Sequence, residues 1–562
     1  NPEGASALGL TSFDPQVVDL QPQLLERMGS AYAQAAGELE KRLLAETDPP
    51  VRQDLQILLH EARMRVKGIE LSARYEIPFI NLSEIVYEGL RTLLDEQADP
   101  RRHAVALQRL ARYVGEGGRP VAELAEEHLR ERMARDGAVG PFRGEIDKGL
   151  SRSSFFIEGI RTLFEQRGME GYPENLELLQ RQLERYEDFV RRELLPRARG
   201  DYRLPPELYA FYMQEYGVDI EPLELARQAH KAFDLLKNEI SALAPAVAEA
   251  RGFPSSDYRE VIRALRAEQL PQERILEVYR QREREIAEII RREDLATLPT
   301  VPMVIRFATP AEAAMVAAPH MRPPRLIGNT GERGEFVLPV SIPTEDGSGM
   351  RRLTDFSFDT ISWMLTAHEG RPGHEMQFAS MIERGVSLAR AVFAFNSVNA
   401  EGWALYCETI IQPFMPLPSR FMTYQFEMLR AARAFLDPEL QAGLVSREEA
   451  MRILTEEVVI TEDFAREEVD RYTFFLPGQA TSYFYGYTRL RRLREEVEGL
   501  LGRRFSPRRF HDFILSQGLV PPDLLRKAVL EEFVPAQLGK EGIPSSPVLA
   551  CSGAVAAADP CE

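Results

Sequence analysis

The stretch AHEGRPGHEMQ, residues 367–377, holds His-Glu twice, at His368-Glu369 and His374-Glu375. Neither pair completes the zinc-peptidase pattern His-Glu-x-x-His, because Pro372 and Phe378 occupy the fourth positions. On an unbroken helix the six-residue step from His368 to His374 is about 600°, which leaves the two imidazoles about 120° apart. Pro372 opposes the helical hydrogen bond to residue 368, and Gly373 tolerates a bulge or a turn. A local bulge would bring the two rings to one point, and a bound metal could hold such an irregular helix together. Glu369 would then be the base that takes a proton from metal-activated water.

A second stretch, NAEGWALYCE at 399–408, places Glu401 and Glu408 seven apart, so on a helix they face nearly the same way. Carboxylates among Trp403, Ala404, Leu405 and Tyr406 need a buried partner, which a cation would supply. Two histidines, one carboxylate and an open water position make a catalytic zinc site. The remaining glutamate would orient a histidine or hold a substrate group.

These motifs, HEGRPGHEMQ at 368–377, EGWALYCE at 401–408 and PGQATSYFYG at 477–486, resemble the signature of the bacterial DUF885 family. Weaker similarity at LPRARGDYRLPPELYAFYMQ and FHDFILSQGLVPPDLL extends the resemblance over most of the chain. It implies a mostly helical, gluzincin-like zinc peptidase with His368, Glu369, His374, Glu401 and Glu408 at the centre, and Gln377, Gln479 and Tyr483 lining the cleft. Gluzincin-like peptidases take their third ligand from a second helix roughly 25 residues downstream, which favours Glu401 and leaves Glu408 as a supporting acid or alternative ligand. Two positions depart from the family pattern. Arg371 stands where an aromatic residue is usual, and Glu375 replaces a histidine. Arg371 can pair with Glu375 four positions on, or bind a substrate carboxylate.

Tyr483 is the first candidate to donate to a developing oxyanion, with Tyr485 and Tyr487 as alternatives that the Tyr-x-Tyr-x-Tyr run leaves open. Gln479 would hold substrate backbone or cap a helix after Pro477-Gly478. His511 would orient substrate or a carboxylate, or serve the structure after Pro507. His320 has a weaker claim to the cleft, and His60, His103, His128 and His230 read as surface or structural residues. Cys407, with no base beside it, reads as a small core residue.

The elements that must position these groups are mainly helical. Apolar residues recur three and four apart over 21–46, 52–76, 101–115, 120–135, 173–195, 205–217, 221–249, 257–267 and 272–294, with Asp48-Pro49-Pro50 separating the first two. Short β-like runs in LPTVPMVIRFATP and RGEFVLPVSIPT predict a small sheet or hairpin between 296 and 350, which would be a packing flap on the helical body or, in a peptidase, a partner for an extended peptide. Helical periodicity resumes at 357 and continues to about 540, with breaks at 413–420, 475–479 and 505–510. The expected fold is a large helical metallopeptidase-like body with a central cleft. An N-terminal helical region spans 1–295, a small β-containing insert 296–350, a C-terminal helical region bearing the centre 351–540, and a flexible tail 541–562.

With 562 residues, 44% of them apolar, the chain can bury a large core, and one helical body or several domains are both permitted. The net charge of −18 comes from 87 acidic and 69 basic residues without a basic tract, so nucleic acid is not an expected partner. Cys551 and Cys561 could pair, but three cysteines make no disulfide framework. No apolar run reaches the roughly 18 residues of a membrane helix, and the compartment stays open between cytoplasm and export after signal removal. The leading reading is zinc-dependent hydrolysis of short or unfolded peptides. The alternatives are a metal-dependent hydrolase of a non-peptide amide or ester, and a non-catalytic binding or structural protein with a degenerate centre. The oligomeric state is not legible.

Overall fold

The computed structural model describes residues 1–135 and 137–539; the expected tail and the Cys551–Cys561 pair lie outside them. The protein is mainly α-helical with a small β element. Helices Leu24–Ala45 and Pro49–Tyr75 form a hairpin. The Asp-Pro-Pro joint starts the second helix as well as ending the first. Asp48 accepts a hydrogen bond from the Val51 N–H at 3.3 Å, and the prolines fill the first turn, where a missing N–H costs little.

Most other expected N-terminal helices appear within a few residues of their predicted bounds. Besides the short Pro2–Leu8, two were not singled out by the spacing, Leu82–Leu94 and Arg143–Gln166. The second carries three glycines, which weaken helix propensity, but packing demands two of them. A Cβ on Gly149 would fall 2.4 Å from the Phe79 ring, and one on Gly159 2.7 Å from the Tyr87 ring. Val86, Leu90, Leu110, Leu129, Phe156 and Phe164 fill the core between these helices.

The β element has strands β1 (Val304–Phe307), β2 (His320–Arg322) and β3 (Glu335–Leu338) in the order β1-β3-β2, and a separate antiparallel pair, β4 (Ser341–Pro343) with β5 (Met350–Arg352). The two expected runs, VIRF and EFVL, pair with each other in parallel, and β2 pairs antiparallel to β3. Parallel partners need a crossover, which residues 308–334 provide.

Seven helices frame the site: α1 (Pro222–Arg251), α2 (Asp359–Glu369), α3 (His374–Arg384), α4 (Ser397–Ile411), α5 (Leu417–Gln441), α6 (Thr481–Leu501) and α7 (Pro507–Ser516). The long α1 lies along α5, burying Phe233, Ile240, Val247, Phe426, Leu429 and Phe435 in the largest core. Helix α4 lies along α6 in close contact. A Cβ on Gly402 would come within 2.4 Å of the Gly486 backbone, so neither position admits a side chain. That approach brings Glu401, next to Gly402, toward Tyr483, three residues before Gly486. Among the described residues no helix is long and apolar enough to cross a membrane.

Candidate metal centre

The sequence predicts a bulge inside one helix; the structure instead stops one helix and starts another. Helix α2 ends at Glu369, the chain turns through 370–373, and α3 begins at His374. Pro372 cannot donate to the His368 carbonyl. Gly373 sits so close that a Cβ would lie 1.9 Å from that carbonyl oxygen and 2.5 Å from the Ala367 oxygen. From α4, the Trp403 indole N–H donates to the Pro372 carbonyl at 2.9 Å and pins the turn. The His368 and His374 rings end 4.9 Å apart and nearly perpendicular.

Glu401 stands between them. Its Oε2 lies 3.3 Å from His374 Nε2 and 3.6 Å from His368 Nε2, and the three candidate ligand atoms all fall within 4.8 Å of one another. No second such group of His, Cys, Asp or Glu side chains converges among the described residues. Glu408 sits on the opposite edge of the His368 ring, with Oε1 2.6 Å from Nδ1, and accepts from Arg430 Nη2 at 3.1 Å. Gln377 does for His374 what Glu408 does for His368, its Oε1 lying 3.2 Å from Nδ1.

Carboxylate and amide oxygens only accept, so both Nδ1 atoms carry the hydrogens and the neutral rings turn bare Nε2 lone pairs toward Glu401. Glu401 Oε2 is buried and has no hydrogen-bond partner of its own. Three facing lone-pair atoms require a cation among them. Protons can serve: burial opposes an imidazolium at His368, but Glu369, Glu401 and Glu408 outweigh it and push its pKa up to about 9. Burial would raise the Glu401 carboxyl, yet the two histidines hold it well below the usual carboxylate range. A metal fits as well. Ligand atoms at zinc's usual bond lengths in a tetrahedron lie roughly 3.3–3.4 Å apart, close to two of these separations. His₂Glu with orienting acceptors behind the imidazoles is a zinc-type donor set.

Glu369 is buried beside the group, its Oε1 3.8 Å from His368 Nε2, and burial raises its carboxyl pKa. The Tyr483 ring lies parallel to that of His368 with centroids 6.3 Å apart. Its hydroxyl accepts from Arg471 Nη2 at 3.0 Å, while its own hydrogen finds no acceptor among the described residues. Tyr485 instead turns to Asp219 and Arg489, and Tyr487 lines a different cavity with Glu427 and Arg491. Gln479 is held at both ends, accepting from Arg471 and donating to Ser397 Oγ at 3.1 Å.

Other expected site residues lie further out. Arg371 pairs with Glu375 at 2.5 and 3.1 Å and donates to the Val301 carbonyl, which ties it to its own turn. His511 lies behind Trp403, 2.6 Å from the Tyr406 hydroxyl and 2.7 Å from the Leu295 carbonyl, with burial lowering its pKa to about 4. His320 is in β2 against the Ala318 carbonyl, and His230 pairs with Glu439. Cys407 is a free, buried core thiol.

Sequence reasoning missed the arginines. Arg430 anchors Glu408, Arg433 grips Glu468 at 2.6 and 2.8 Å, and Arg471 holds Tyr483. The available signal was FEMLRAARAFL in α5, where two arginines three apart interrupt an apolar run and so demand buried acids.

A family described as "Bacterial protein of unknown function (DUF885)" matches residues 2–529. The chain belongs to DUF885. Two solved structures share the DUF885 chain's fold. One is a candidate lipoprotein of unknown function from Shewanella oneidensis, at 18% identity and a TM-score of 0.69, with 94% of this chain and 97% of that one covered. The other is a candidate lipoprotein from Colwellia psychrerythraea, at 17% identity and a TM-score of 0.74, with 95% and 96% covered. At these identities the likeness is one of fold. No curated protein matches the chain.

Proposed function

We propose that this DUF885 protein is a zinc-dependent hydrolase of peptide bonds in short or unfolded peptides. One observation carries the reading: buried Glu401 Oε2, unpartnered, faces two imidazole Nε2 atoms whose Nδ1 positions are already satisfied. Zinc held by His368, His374 and Glu401 would polarise a carbonyl and lower the pKa of bound water toward neutrality. Glu369 would take the water proton and pass it to the leaving amine, and the burial that raises its carboxyl pKa favours its holding that proton between the two acts. Tyr483 donates its free hydroxyl hydrogen to the oxygen on which charge develops, while Arg471 fixes the phenol. Glu408 and Gln377 keep the imidazoles in the tautomer that ligation needs.

On this reading the 1–295 and 351–540 regions wall a central cleft that admits only small or unfolded chains. The test is zinc content together with digestion of a peptide library read by mass spectrometry. About one zinc per chain is expected, with cleavage slowed by about 10²–10⁴ in Glu369→Gln at unchanged zinc content. Zinc without peptide cleavage, but with turnover of simple amides or esters, would move the substrate class. Cleavage indifferent to Glu369→Gln would sink the mechanism.

A further inference from the structure

Beside Tyr483 lies a group of charges that does not balance. Arg433 and Glu468 form a two-pronged pair, and Glu468 also accepts from the Tyr472 hydroxyl at 2.6 Å. Arg471 is left with only a distant contact to Glu468, at 3.5 Å. Its other partners are neutral, the Gln479 amide oxygen and the Tyr483 hydroxyl, and its Nε has none. A further acid that feels its charge, Asp437, is spent on the Gly478 N–H and the Tyr209 hydroxyl, and burial raises its pKa to about 8. Two guanidiniums thus face one committed carboxylate, both lying over the Tyr483 ring at 4.7 and 5.3 Å. Arg471 is the accessible member: its side chain is 18% exposed, against 6% for Arg433 and 4% for Glu468.

An uncompensated, mostly desolvated guanidinium invites an anion, and its planar donors match a carboxylate. We propose that Arg471 binds the free C-terminal carboxylate of a peptide, so that the enzyme trims peptides from the C-terminal end. The inference rests on the peptidase reading above and names its substrate end. Arg471 reaches the His/His/Glu group through one tyrosine ring, at 3.0 Å to the hydroxyl and 6.3 Å from that ring to His368. Extended residues advance ~3.5 Å each, so a carboxylate on Arg471 sets a bond one or two residues away at the centre. Arg371, the other arginine near the motif, is tied to Glu375 and does not compete.

Arg471 also steadies Tyr483, so a loss of rate in its variants would be ambiguous, whereas discrimination between ligand ends is not. The probes are a fluorescein-labelled tetra-alanine with a free C-terminal carboxylate and the same peptide as its C-terminal amide. Both are titrated onto zinc-loaded, full-length Glu369→Gln, which holds peptide without turning it over. The carboxylate is expected to bind about 30-fold more tightly than the amide, the range of a charge-assisted pair. Adding Arg471→Gln should bring the ratio near one, and Arg471→Lys should restore part of it, with thermal unfolding confirming that each variant is folded. Equal affinity for the two ends, or a preference that survives Arg471→Gln, overturns the assignment while leaving the peptidase reading intact. Binding of neither peptide overturns both.

Discussion

Replacing Glu401 and Glu408 separately by glutamine should give opposite signatures, because the two carboxylates touch different nitrogens of the same histidine. Glu408 is fully buried, with one oxygen shared between His368 Nδ1 at 2.6 Å and Arg430 at 3.1 Å. Glutamine can still accept the imidazole hydrogen but cannot neutralise Arg430, which is itself 4% exposed. Breaking a buried pair from one side costs about 3–5 kcal/mol. Loss of a carboxylate behind a ligating histidine weakens metal binding about 10–100-fold. Glu408→Gln should therefore lower the unfolding free energy of the metal-free protein by several kcal/mol and zinc affinity by one to two decades. Glu401→Gln deletes the facing ligand charge, makes no such demand on an arginine, and should lower zinc affinity further than Glu408→Gln with a smaller effect on metal-free stability. Competition with a chromogenic chelator gives the affinities, and urea unfolding of the stripped proteins gives the stabilities. If Glu401→Gln kept near wild-type zinc affinity while Glu408→Gln abolished it, the ligand assignment would be reversed and the geometric reasoning would fail.

Zinc must displace protons from an imidazole whose metal-free pKa is pushed up to about 9, so affinity should rise roughly tenfold per pH unit per proton released below that value. Calorimetry in buffers of different ionisation enthalpy counts those protons, and zinc uptake at pH 7 without proton release would contradict the charge state inferred for the centre. His511 is neutral in the folded protein, with its pKa lowered by burial to about 4 from 6.5. Its unfolded form therefore takes up a proton first as pH falls, and stability should drop by about 3 kcal/mol between pH 6.5 and 4, then level; His511→Asn should flatten that part of the pH–stability curve. Gly402→Ala puts a methyl 2.4 Å from the Gly486 backbone and should cost about 1–3 kcal/mol in unfolding free energy, with weakened zinc binding because Glu401 is the neighbouring residue. Calorimetric unfolding within about 0.5 kcal/mol of wild type would show that α4 and α6 are free to part.

How far the site was legible follows from which contacts are local. Pro372-Gly373 announced that helical geometry fails between the two histidines, and the residues on either side of that failure do converge. Whether the failure is a bulge or a stop could not be read there, because Trp403, thirty-one positions away, helps decide it by holding the Pro372 carbonyl. The same holds for the charges. Arg371 and Glu375, four apart, could be paired from sequence, whereas Arg430 with Glu408 and Arg471 with Tyr483 join different helices, and no periodicity within one element names a partner in another. The glycines of Arg143–Gln166 obscured a helix for the same reason, since Phe79 and Tyr87 explain them only once the chain is folded.

The seven-residue step from Glu401 to Glu408 shows how a correct local inference can leave a functional choice open. At 1.5 Å per residue the two α-carbons stand about 10 Å apart along one face of α4, too far to share one ion through short side chains aimed straight out. That face is instead spanned by a single imidazole. His368 comes in from α2 with Nε2 toward Glu401 and Nδ1 toward Glu408. Two nearly equivalent acids thereby acquire different chemistry. Each keeps one buried oxygen without a hydrogen-bond partner, but the acid at Nδ1 is paired with Arg430 and orients the ring, while the free oxygen of the acid at Nε2 faces both imidazole Nε2 atoms and calls for a cation among them. Helical periodicity says that both acids look the same way; which of them could hold a metal depends on a ring from another helix and an arginine from a third.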